Sequence, residues 1–154
     1  MKQFLKNGLV GLFGYLAAEA VMMVGSSFFA DGPHSRTDCM ILGIVYLVSL
    51  AAAFAVGQWR GKQFESKWKT LFSVIFLTPA VLAVPVLLAA ADIFNSQWVM
   101  IPLTFSYLPG NFMSMLNPNY MADGWEIVLC MIGAPLCILL ATAVGALFSY
   151  DTAE

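Results

Sequence analysis

Glu19 is the one charged residue near the middle of any long apolar stretch of the chain. A carboxylate at membrane depth costs about 3 kcal/mol or more, so its presence raises a functional expectation: a proton-coupled site, an ion site or a contact to a cationic ligand. The structural alternative is a protonated carboxyl that donates to a helix carbonyl or a hydroxyl. No Lys, Arg or His stands at a matching depth, and a carboxyl isolated from water and from cations tends to take up a proton. Its acceptors are expected in the third apolar stretch. Thr78 offers a hydroxyl there, and Pro79 and Pro85 each leave an upstream carbonyl without its helical donor. Glu19 and Thr78 are therefore the candidate intramembrane polar site.

Other chemistry is thinly represented. Asp31, His34, Asp38 and Cys39 are metal-capable types within one short loop, but their spacing fits no defined metal motif and Pro33 marks an ordinary turn. Met22, Met23, Met113 and Met115 carry soft thioethers, which in an apolar chain pack against neighbours or lipid far more often than they bind copper. Asp92 and Asp123 flank one long uncharged segment and are read as helix caps or interface markers. One histidine, with no nucleophile elbow, zincin motif or P-loop, gives no catalytic set. No metal, cofactor or catalytic residue is expected, and an intramembrane enzyme is the least favoured class.

The elements that hold Glu19 follow from composition. Of 154 residues, 60% are hydrophobic and 10% charged, against about 25% charged in a soluble domain. That leaves too little polar surface to cover a water-facing globule, and the apolar runs are continuous rather than alternating, which argues for helices over a barrel. The net charge of −2, with no basic patch interleaved with aromatics, argues against nucleic acid as a partner. The expected fold is all-α: a polytopic four-helix transmembrane bundle forming one domain, with spans over 8–30, 39–58, 70–91 and 125–148. The first run is too long for a signal-peptide core, and Phe28 is too bulky for the −3 position of a cleavage after Ala30. Lys2 and Lys6 are thus expected to anchor the first span on the cytoplasmic side.

Residues 93–122 carry no charge but hold Pro102, Pro109, Gly110, Asn111 and Pro118. A segment lying in the outer interface fits this best, with a re-entrant hairpin or a fifth span as alternatives. In the fourth span Gly133, Cys137, Ala141, Gly145 and Ser149 recur every four residues. A four-residue step advances 400°, so the stripe winds slowly round the helix and suits a right-handed helix crossing. Gly11, Gly14 and Ala18 form a shorter version in the first span. Cys39, Cys130 and Cys137 make no CxxC pair; a bridge between Cys39 and Cys130 is left open by their shared predicted face.

The expected function is non-enzymatic: a subunit of a membrane assembly, either a homo-oligomer or an accessory or sensor partner of a larger complex, with the lipid bilayer as solvent. The alternative is a small channel or proton-coupled transporter using Glu19. Lys2, Lys6, Arg60, Lys62, Lys67 and Lys69 fall on one side of a four-span arrangement, and only Arg36 on the other. That asymmetry places both termini in the cytoplasm, in an inner or plasma membrane. Trp59 and Trp68 flank the inner loop, and Trp98 and Trp125 the outer one, as an aromatic belt requires. In a cysteine-free background, a cysteine at Lys67 should resist an impermeant thiol reagent added to intact cells. Labelling from outside would reverse the orientation.

Overall fold

A computed structural model describes residues 1–29, 35–60, 66–90 and 124–148. Four helices and no strand occur among the described residues: α1 (Lys2–Ser27), α2 (Arg36–Arg60), α3 (Lys67–Ala90) and α4 (Gly124–Phe148). Lys2–Ser27 and Arg36–Trp59 are each long and apolar enough to cross a membrane, and α4 contains the shorter apolar helix Ile132–Phe148. The segment 93–122 lies outside the described residues, as do Asp31, His34, Asp92, Asp123 and Ser149.

The helix ends follow local chemistry. At the start of α2, the Asp38 backbone N–H donates to Ser35 Oγ at 3.2 Å, and the Ser35 N–H donates to Asp38 Oδ2 at 2.9 Å. This reciprocal capping box satisfies two donors that a helix start leaves open. Asp38, one of the metal-capable loop residues, is thus engaged in holding a helix end. α1 begins six residues before the expected span because its first turns are not a solvated tail. Gln3 Nε2 donates to Asn7 Oδ1 at 2.9 Å, and the buried Asn7 Nδ2 donates to Ser73 Oγ of α3 at 3.0 Å. α3 runs unbroken through Pro79 and Pro85, and α4 through Pro135.

Close backbone approach sets the packing. A Cβ at Gly11 would overlap the Val74 carbonyl, one at Gly57 the Thr142 carbonyl, and one at Gly145 the Phe54 carbonyl. Glycine is the residue that permits such contacts between helices. Asn7–Ser73 and Gly11–Val74 hold α1 against α3; Tyr46–Ala134 and, further along both helices, Phe54–Gly145 show that α2 and α4 run parallel. Among the described residues α1 touches α2, α3 and α4, α4 also touches α2 and α3, and α2 and α3 do not meet. The core lies between α1, α2 and α4, around Tyr15, Met22, Leu42, Tyr46, Ile138 and Leu139. A smaller cluster of Val74, Ala143 and Ala146 joins α3 to α4. Phe4–Phe76 and Phe54–Phe148 close the same end of the molecule with tilted ring pairs at 5.8 Å and 6.1 Å.

These contacts splay one end. α1 leans onto α3 at Gly8 and Gly11, whereas the end of α2 leans onto α4 at Gly57. α1 and α2 meet closely at the opposite end, where Gly25 faces Val45. The splayed end carries the exposed Lys2, Lys6, Lys67 and Lys69.

The regular four-residue stripe of α4 does not form a single contact. Gly145 is buried against Phe54, and Ala141 packs partly against the core. Among the described residues nothing lies within 4 Å of a Cβ built at Gly133, and Cys137 is exposed. No disulfide joins Cys39 and Cys130. Gly57→Leu and Gly145→Leu should each destabilise the fold by at least the roughly 1–3 kcal/mol typical of overpacking. Gly133→Leu should leave thermal unfolding in detergent unchanged. Equal effects at Gly133 and Gly145 would mean that the α2–α4 approach is not what holds the helices together.

Candidate functional site

The face that buries Glu19 is written in small residues. Asn7, Gly11, Gly14, Tyr15, Ala18, Met22 and Gly25 of α1 are all buried and recur at three- and four-residue steps, the repeat of one helix face. Their small size draws α3 and α4 inward: Gly14 sits against the Thr142 side chain and Gly11 against Val74. Glu19 lies beside this stripe and is carried into the interior, with 1% of its surface exposed. Among the described residues its two carboxyl oxygens have no hydrogen-bond partner of sound geometry. Tyr15, one turn earlier on the same face, is the polar side chain that interacts with the carboxyl.

Thr78 is buried as well, and its hydroxyl also lacks a hydrogen-bond partner among the described residues. Asn7 meets Ser73 and Gly8 meets Leu77, so Thr78 lies in the part of α3 that packs against the first half of α1, short of the level of Glu19. The structure therefore brings both predicted polar residues into the interior, without the hydrogen bond expected between them. Neither the Glu19 carboxyl oxygens nor the Thr78 hydroxyl has a hydrogen-bond partner of sound geometry among the described residues.

The remaining buried polar side chains are satisfied. Ser49 Oγ donates to the Tyr46 carbonyl at 2.6 Å, Ser73 Oγ to Thr70 at 2.8 Å, and Thr142 Oγ1 to Ile138 at 3.0 Å. The Tyr46 hydroxyl donates to the Ala134 carbonyl at 3.1 Å and so ties α2 to α4. Sequence reasoning missed the Gln3–Asn7–Ser73 chain and the Tyr46 tie. The available signal was a polar side chain recurring on the same face as small residues, as Asn7 does with Gly11 and Gly14. No group of three or more His, Cys, Asp or Glu able to hold a metal occurs among the described residues.

Comparison of the chain with protein families, with curated proteins and with solved structures gives no match.

An unmatched buried hydroxyl costs stability, about 1–3 kcal/mol for a group of this kind, whereas an apolar replacement of the same shape removes that cost. Thr78→Val should accordingly hold or raise the melting temperature in detergent. A fall equivalent to 1 kcal/mol or more, on the order of a lost hydrogen bond, would mean that the hydroxyl has a partner supplied by water, an ion or another chain.

Proposed function

We propose that the chain is a non-enzymatic integral membrane protein, a four-helix bundle that spans the bilayer with both termini in the cytoplasm. It acts as a subunit of a membrane assembly, as a homo-oligomer or as an accessory or sensor partner of a larger complex. The observation that carries this reading is the outward half of the α4 stripe. Among the described residues nothing approaches a Cβ at the half-buried Gly133, and Cys137 is exposed, next to exposed Ile132, Leu136 and Leu140. In lipid, apolar side chains gain nothing by leaving the solvent, so helix association depends on close backbone packing at small residues. A small-residue path on the outside of α4 suits a helix from another chain, while Gly145 on the inside is already used. The splayed end fits the cytoplasmic side, since the basic residues collect there.

A second reading, a small proton- or cation-coupled channel or transporter, is favoured by a different observation. The Glu19 oxygens and the Thr78 hydroxyl are buried without a hydrogen-bond partner of sound geometry among the described residues. Buried unsatisfied groups of this sort mark sites where water or an ion is bound, or where a charge is used.

Two measurements separate the readings. Single-particle photobleaching in native-lipid nanodiscs counts chains per assembly. The first reading predicts more than one, falling to one in Gly133→Leu with an unchanged melting temperature. Flux into proteoliposomes loaded with a pH dye tests the second, which predicts proton movement that Glu19→Gln abolishes. Single chains with Glu19-dependent flux would overturn the first reading in favour of the second.

A further inference from the structure

We infer that the cleft between α1 and α2 at the splayed end is a binding site for an anionic phospholipid. This rests on the membrane reading above. The cleft holds about 930 Å³ and runs along α1 from Gln3 to Ala17, facing Val56 and Trp59 of α2. At a rise of 1.5 Å per residue that is roughly 21 Å, about one leaflet of a bilayer including its headgroups.

Its lining changes character along its length. Lys6 and Gln3 stand at the mouth with Trp59, whose indole is 78% exposed. Leu9, Phe13 and Leu16 continue toward the bundle centre, and Phe13 is 60% exposed along the open side. None of the described lining residues is acidic. An ammonium and an amide at one end, followed by a laterally open apolar trough, match a molecule with an anionic head and a long apolar tail. A soluble anion would leave the trough unused, and a zwitterionic lipid would make less of Lys6. Basic pockets between helices on the cytoplasmic side recognise anionic headgroups in this way, and a tryptophan at headgroup level is suited to that depth.

The cleft also has a structural cause that keeps it open. α1 is held on α3 by the Asn7–Ser73 hydrogen bond and the Gly11 contact, and α2 is held on α4 by Gly57. Neither helix can swing across to close the gap without breaking a backbone-level contact. Lipid is the partner that fills such a gap without requiring either helix to move.

The test uses the full chain in nanodiscs with Trp59 as the sole tryptophan, after Trp68→Phe, Trp98→Phe and Trp125→Phe. Acyl-brominated phosphatidylglycerol, diluted in unbrominated lipid, should quench Trp59 several-fold more than brominated phosphatidylcholine at the same mole fraction. Lys6→Gln should bring the two to parity without changing the melting temperature, because Lys6 is exposed. A second chain, with Trp59→Phe added and Phe76→Trp on the outward side of α3, should be quenched equally by both lipids. Absence of quenching at Phe76→Trp would overturn the membrane reading itself. Quenching there, combined with no headgroup preference at Trp59 or a preference that survives Lys6→Gln, would overturn the lipid site alone.

Discussion

The backbone of α4 reaches the backbone of α2 only because Gly57 and Gly145 present no side chain between them, and Gly11 grants α1 the same access to α3. These approaches fix the arrangement more tightly than apolar burial could. Burial is non-directional, and an apolar side chain on any of these helices is nearly as well placed against one neighbour as against another. A glycine contact is specific in register. Moving Gly145 by one residue along α2 would set a side chain against the Phe54 carbonyl. From this constraint follow the pairing of α1 with α3 and of α2 with α4, the lack of contact between α2 and α3, and the divergence of α1 from α2 at the basic end. The interior position of Glu19 follows too, since the face of α1 that carries Gly11, Gly14 and Ala18 also carries the carboxyl inward.

Much of this architecture is legible in the residues, and the parts that are not have physical reasons. The four apolar stretches mark four helices because long continuous apolar runs leave the backbone no solvent partner and helices satisfy it internally. The helix α1 extends upstream of the apolar run. Asn7 reads as polar and therefore as outside the apolar run, but the hydrogen bonds to Gln3 and Ser73 let it be buried. The start of α2 could have been read from Ser35 and Asp38, a Ser-x-x-Asp spacing that resembles a capping box. A sequence spacing states which residues share a face, but not which neighbour that face meets. That is why the α4 stripe reads as one surface, while Gly145 faces α2 and Gly133 faces outward. The same limit applies to Glu19 and Thr78: residue type and position do not state which partners, if any, their polar atoms find.

The buried hydroxyls define a rule that the candidate site breaks. Ser49, Ser73 and Thr142 each return their proton to a carbonyl three or four residues earlier, which a helix always offers at no cost in tertiary design. Asn7 and Tyr46 instead reach across to another helix, and both find a partner there. Thr78 has the same local option as Thr142, a carbonyl in the preceding turn, and does not take it. The Glu19 carboxyl cannot use a helix carbonyl unless it carries a proton, and its one local polar neighbour among the described residues is Tyr15. Selection for stability alone would replace Glu19 with Leu or Met and Thr78 with Val, since each change removes a desolvated polar group from a packed interior. The two exceptions stand in a chain whose other described buried polar side chains are matched. Each is therefore better explained by a requirement that the lone chain does not meet, such as a proton, a cation, a water or a neighbouring helix, than by a lapse in packing.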